Sequence, residues 1–132
     1  KQIKRAYLKC VVNPWSFCER CVWIKAKIKV PEWLEAIAAF KFVFTNSFHG
    51  TVFSILFHKP FVSLLIKGKM SGMNERALSL LKNIGLEDRA VYSDEIEKIS
   101  SLVDKPINWE EVDSRLDELR EVAKEFLGKS LV

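Results

Sequence analysis

Serine, histidine and glycine stand close together in Ser47-Phe48-His49-Gly50. A serine hydroxyl can cap a helix or bind a ligand, an imidazole can carry a proton near neutral pH, and a glycine lets a ligand approach the backbone. At the start of a helix, where unpaired N–H groups meet the positive end of the dipole, this set suits a phosphate or carboxylate. The bland alternative makes Ser47 only an N-cap and His49 a satisfied, partly buried histidine. Arg76 could add a cation for the same anion, or simply pair with Glu75 or Glu87 at the surface. Lys67 and Lys69 flank Gly68 and could close over an anion, although loop lysines are more often solvated. Arg89 reads as a structural anchor of the Leu86-Glu87-Asp88 turn. His58, beside Lys59-Pro60, reads as a cap on the carbonyls of a helix end.

A metal site has weaker support. Cys18-x-x-Cys21, with Cys10 as a third ligand, could seed a zinc or iron–sulfur site only if further ligands converged, and the chain has no second paired motif. Free thiols in a reducing cytoplasm are the better reading, and no metal or cofactor is expected. The net charge of +4 is unevenly spread: residues 1–30 carry eight Lys/Arg against Glu19 alone, and the rest carry thirteen against sixteen acids. With Trp15 and Trp23 among them, those cations could track phosphates of a nucleic acid or an acidic membrane. Basic tails are more often solvated, so no nucleic-acid partner is expected.

The elements that must position these residues follow from hydrophobic pattern. About half of the 132 residues are hydrophobic, enough for the core of one domain. Lys25 to Val30 alternates as a half-buried strand does. Pro31 opens a helix to Phe40 carrying Trp33, Leu34, Ile37 and Ala38 at helical spacing. Phe42 to Thr45 is an apolar run suited to a strand covered on both faces. From His49 the chain is apolar or small all round, a buried helix that Lys59-Pro60 stops before a second buried strand, Phe61 to Ile66. A polar loop, Lys67 to Met73, precedes a helix capped by Asn74 and closed by Gly85. Val91-Tyr92 reads as a last edge strand, Ser93 to Val103 as a loop with a helical turn, and Trp109 to Leu127 as a long helix needing a partner surface. Trp33 and Trp109 read as core anchors. Helices alternating with buried strands argue an α/β fold with a doubly wound parallel sheet, in which ligands bind outside the carboxyl ends of the strands. The segment Thr45 to Gly50 sits there. The longest apolar stretch, Val52 to Ile66, is broken by His58, Lys59 and Pro60 and is too short to cross a bilayer.

The string TNSFHGTVFSILFHKPF, Thr45 to Phe61, closely resembles the signature of the polysaccharide pyruvyl transferase family. Pro31-Glu32-Trp33-Leu34 with Ile37 upstream, NERALSLLKNIGLEDR from Asn74 to Arg89 downstream, and Ile107-Asn108-Trp109 with its long helix are similar to the family's flanking blocks in the same order. The resemblance covers about residues 31–128, and residues 1–30 stand outside it as an unassigned basic segment holding the cysteines.

The resemblance implies the C-terminal Rossmann-like half of a two-domain, glycosyltransferase-B-like architecture, with the N-terminal half absent from a chain that opens on Lys1. It implies transfer of a pyruvyl group from phosphoenolpyruvate to a sugar of a cell-surface or extracellular polysaccharide as a ketal. A proton donor and cationic phosphate clamps should dominate that chemistry. By resemblance His49 is the acid or a donor ligand, and Ser47, Gly50, Thr51 and Arg76 join it in donor binding. Several branches of the family have an Arg-Leu-His in this place, whose Arg helps hold the donor; here Phe48 precedes His49 directly without that arginine, and Arg76 could supply the charge. The acceptor would be a glycan or lipid-linked sugar, the location cytoplasmic with room for membrane association through that acceptor, and the isolated piece inactive. The alternative is a non-catalytic anion- or glycan-binding remnant of the same fold.

Overall fold

The computed structural model describes residues 29–92 and 94–131. The expectations for Cys10, Cys18 and Cys21 and for the basic segment with Trp15 and Trp23 lie outside the described residues. Of the alternating stretch Lys25 to Val30 only the last two residues are described, and Val30 already opens a helix.

Among the described residues three short apolar runs form the sheet: β1 (Val43–Thr45), β2 (Phe61–Leu65) and β3 (Ala90–Tyr92). They pair in parallel in the order β1-β2-β3, with Val43 opposite Phe61 and Ser63 opposite both Thr45 and Ala90. Because successive strand residues point to opposite faces, Val43, Phe61 and Ala90 share one face and Phe44, Val62 and Val91 the other. The first face is covered through Ile37 of α1 (Val30–Ala39), Ile55 of α2 (Phe48–Leu56), Leu81 of α3 (Asn74–Asn83) and Val112 of α5 (Trp109–Ser130). The second is covered through Ile99 and Leu102 of α4 (Ile96–Val103). Helices on both faces of a parallel sheet make this an α/β unit compatible with a Rossmann-like fold. Ile37, Val43, Phe61 and Leu81 are fully buried, and each contributes about 1.5–3 kcal/mol relative to exposure.

Trp33 and Trp109 both pack on the first core, Trp33 edge-on to Phe53 at 5.7 Å. α1 starts one residue before Pro31, with the Lys29 N–H bonded to Glu32 Oε2 at 3.3 Å.

Helices α2 and α3 end alike. Beyond α2, His58 adopts φ 52°, its N–H bonds the Ile55 carbonyl at 3.0 Å and the Lys59 N–H bonds the Ser54 carbonyl at 2.8 Å. Beyond α3, Gly85 adopts φ 74°, with Gly85 N–H on Lys82 O at 3.3 Å and Leu86 N–H on Leu81 O at 2.8 Å. Both are Schellman ends, which favour glycine at the left-handed position. His58 therefore caps carbonyls through its backbone, and its imidazole does something else. Its Nε2 lies 2.9 Å from Asp113 Oδ1 and its ring stacks on Trp109 at 5.0 Å. These contacts to α5 offset a left-handed penalty of about 1–2 kcal/mol.

Other expectations change. Asn74 does not cap its own helix; its carboxamide accepts from the Ile66 N–H at 2.9 Å and donates to the Ile66 carbonyl at 2.8 Å, tying the end of β2 to the start of α3. The Lys67 to Met73 loop is wound into a 3₁₀ turn over Gly68–Met73. The region read as a loop with a helical turn contains α4, because Ile99, Leu102 and Val103 recur at helical spacing against the second face. α2 is not buried all round: His49 is exposed, and so is Leu56 at 47%, followed by Phe57 just past the helix at 37%. Along α5, Trp109, Val112 and Leu116 pack on the first core, whereas Val122, Phe126 and Leu127 are exposed. Ion pairs Arg115–Glu111, Arg120–Asp117, Lys124–Glu121 and Lys129–Glu125 support that helix from within. Among the described residues no helix is long and apolar enough to cross a membrane.

Candidate functional site

β1 ends at Thr45 and α2 begins at Phe48, so the chain turns at the carboxyl end of the sheet within two residues. The turn is built from short side chains that satisfy the backbone. The Ser47 N–H donates to Thr45 Oγ1 at 3.1 Å, and Ser47 Oγ accepts from the Gly50 N–H at 3.4 Å, as an N-cap does. Thr51 Oγ1 donates to the Ser47 carbonyl at 3.2 Å and lies 3.1 Å from Ser63 Oγ on β2, while Ser54 Oγ donates to the Gly50 carbonyl at 2.7 Å.

Gly50 is buried, and a Cβ there would lie 2.3 Å from Thr45 Oγ1. Its missing side chain lets α2 sit against the end of β1; it does not open the backbone to a ligand, as the sequence suggested. Thr51 is likewise fully buried, with its hydroxyl occupied. These two residues hold the turn from below.

Above them the side chains are free. His49 is exposed and makes no hydrogen bond among the described residues, so it is not a satisfied core histidine. The N–H groups of Phe48 and His49 occupy the first turn, where a helix offers no acceptor of its own. Arg76, on α3, pairs with neither Glu75 nor Glu87. Its guanidinium carbon lies 5.2 Å from the centre of the Phe48 ring, and the His49 ring lies 5.9 Å from the same ring, edge to face. Arg76 and His49 thus both contact the Phe48 ring, next to the Ser47 cap. The site can present a cation, an imidazole and unpaired backbone donors to an anion.

Two residues escaped the sequence reading. Phe48 stands in the sequence only as the residue directly before His49, because nothing in its type or spacing says which side chain its ring will meet. Asn46, directly after the Phe42 to Thr45 run, carries no role in the sequence reading, yet its Oδ1 is buried and lacks a donor among the described residues. A buried acceptor without a partner costs about 1–3 kcal/mol.

Lys67 does not join the cluster. Its Nζ is 2.6 Å from Asp94 and 5.1 Å from the centre of the Tyr92 ring. The hydrogen bond to Asp94 raises the Lys67 pKa, and the same bond holds the Asp94 carboxyl below its ordinary range. The side chain of Lys69 lies outside the described residues.

Arg89 lies at the opposite end of the sheet, buried, donating to the carbonyls of Phe61 at 3.4 Å, Leu102 at 2.9 Å and Lys105 at 2.6 Å. It is structural, as expected, but it joins β2 to the end of α4 and the segment after it.

A family model described as polysaccharide pyruvyl transferase matches residues 2–68, half of the chain. The match includes the whole Thr45 to Gly50 turn. It takes in residues 2–30, which the motif comparison left outside, and stops before Arg76. No curated protein and no solved structure matches the chain.

Proposed function

The chain belongs to the polysaccharide pyruvyl transferase family, and from that premise we propose that it carries the donor side of a transfer from phosphoenolpyruvate to a sugar hydroxyl pair. The observation that carries this reading is the meeting of exposed His49 and Arg76 on the Phe48 ring, beside the α2 N-terminus. Phosphoenolpyruvate has a phosphate and a carboxylate, and the Arg76 guanidinium with the Phe48 and His49 N–H groups offers charge-assisted donors to one or both.

His49, as imidazolium, gives a proton to the methylene carbon, which makes the adjacent carbon electrophilic. One sugar hydroxyl adds to that carbon and its proton returns to the imidazole. A second hydroxyl then displaces phosphate, which leaves as inorganic phosphate with the remaining proton, and the pyruvate ketal is complete. Ser47, Gly50 and Thr51 hold the turn that aims His49. A glycan or lipid-linked sugar is the proposed acceptor, bound across a cleft from a second Rossmann-like half on the cytoplasmic side of the membrane.

The test is the thermal unfolding midpoint with and without phosphoenolpyruvate, for the wild type and His49→Ala. Ligand binding to the native state at a hundred times its dissociation constant adds about 2.7 kcal/mol. A rise in the wild type that vanishes in the variant supports the reading. A cooperative transition unmoved by phosphoenolpyruvate removes the donor site from this chain by itself. Stabilisation that persists when turnover is absent, even with an acceptor glycan and a supplied N-terminal half, favours an anion-binding remnant.

A further inference from the structure

Arg76 is a long, exposed side chain on α3, and the proposed donor site lies at the start of α2. Free arginine side chains carry about 2 kcal/mol of rotamer entropy, so a solvated Arg76 would spend most of its time away from the site. The Phe48 ring changes this. It is half-buried at the first position of α2, its centre lies 5.2 Å from the Arg76 guanidinium carbon, and its other neighbour is the His49 ring. No carboxylate competes for Arg76 among the described residues, so the ring is the contact that selects its rotamer.

We infer that Phe48 is a positioning residue, a platform that holds the Arg76 guanidinium over the α2 N-terminus so that it can clamp the anionic end of the ligand. The inference rests on the donor-site reading above and deepens it, because it says how a chain that lacks the arginine of Arg-Leu-His still presents a guanidinium there. Phe48 touches no reacting atom. Its effect passes entirely through Arg76, which gives three signatures. An aromatic replacement keeps the effect, an aliphatic one loses it, and the loss disappears when Arg76 is already gone.

The experiment uses the full chain and the variants Phe48→Leu, Phe48→Tyr, Arg76→Gln and Phe48→Leu with Arg76→Gln. Titration calorimetry reads affinity for phosphoenolpyruvate and for inorganic phosphate, and proton NMR reads the ring-current shift on the Arg76 δ and ε protons. A cation–π contact at an exposed site corresponds to a loss of about two-fold to five-fold in affinity for Phe48→Leu. Phe48→Tyr should stay near wild type, and the double variant should bind no more weakly than Arg76→Gln. The Arg76 protons should lie upfield in the wild type and Phe48→Tyr and return to ordinary positions in Phe48→Leu. Arg76 protons unmoved by Phe48→Leu, or losses that add in the double variant, would overturn the inference. A wild type that shows the shift yet binds neither anion upholds the platform and overturns the donor-site reading instead.

Discussion

The two ends of the three-stranded sheet each hold an arginine, and they use it in opposite ways. At the amino end Arg89 is buried, and three carbonyls of three different segments share its Nη groups. Burial pushes its pKa down, against the neighbouring Asp88, which pushes it up. At the carboxyl end Arg76 is exposed and, among the described residues, meets only an aromatic face. A guanidinium whose donors are already shared among carbonyls has little left for a ligand, whereas one held by its flat face keeps its whole donor edge free. The same residue type is therefore a strut at one end and an available clamp at the other.

The largest expected effect breaks the strut. Arg89→Met removes bonds to three carbonyls at the start of β2 and around the end of α4, and should cost about 3 kcal/mol in urea unfolding, from the loss of charge-assisted bonds and the unsatisfied acceptors left behind. Arg76→Met, in the same assay, should change stability by less than about 0.5 kcal/mol. If the two variants cost the same, the contrast between strut and clamp is wrong.

Next is the packing under the site. Gly50→Ala places a methyl 2.3 Å from Thr45 Oγ1 and 3.0 Å from Thr45 Cβ, and should cost about 1–3 kcal/mol through overpacking. Adding Thr45→Ala removes the nearer atom and should recover part of the loss, so a Gly50→Ala penalty untouched by Thr45→Ala would mean that the clash is not its source. Smaller again, Ser47→Ala removes the α2 N-cap and should cost about 1 kcal/mol.

The smallest effect concerns Lys67 and Asp94. The Asp94 pKa is lowered, so its contribution exists above the ordinary carboxylate value and is lost as pH falls through the lowered one. The Lys67 pKa is raised, so its share is complete below the ordinary lysine value and is lost as pH rises through the raised one. The pair is thus intact across the neutral range. Its side chains are 61% and 66% exposed, and solvent and salt screen it. Lys67→Met should leave the unfolding midpoint at pH 7 within measurement error, and a clear drop would show that the 3₁₀ turn after β2 depends on this pair.

Periodicity and punctuation made much of the architecture legible. The strand runs around Val43, Phe61 and Val91, the helix boundaries at Pro31 and Gly85, and the N-cap at Ser47 follow from rules that act within a few residues. What stayed hidden depends on partners far along the chain. Asn74 looks like a cap until Ile66 is seen beside it, and the His58 imidazole finds Asp113 on another helix. α4 was hard to see because its apolar residues are few and only meaningful against the second sheet face. At the site, Ser47 and His49 were visible by type and placement, but Gly50 showed its role only once Thr45 filled the space of its absent Cβ. Phe48 showed its own only through Arg76.

The all-parallel pairing has a consequence for the order in which the chain folds. Among the described residues no two strands are joined by a hairpin, so none of these pairs can zip from a local turn, and each pairing waits for a helix-bearing loop to close. β2 is the shared partner of both closures. The loop from β2 to β3 is less than twice as long as that from β1 to β2, a difference under about 0.6 kcal/mol in closure entropy. Chain entropy thus barely ranks the two pairings, and the helix that forms more readily decides which comes first. Both strand pairings among the described residues run through the Phe61–Leu65 strand, so the sheet is complete only once that strand is in place.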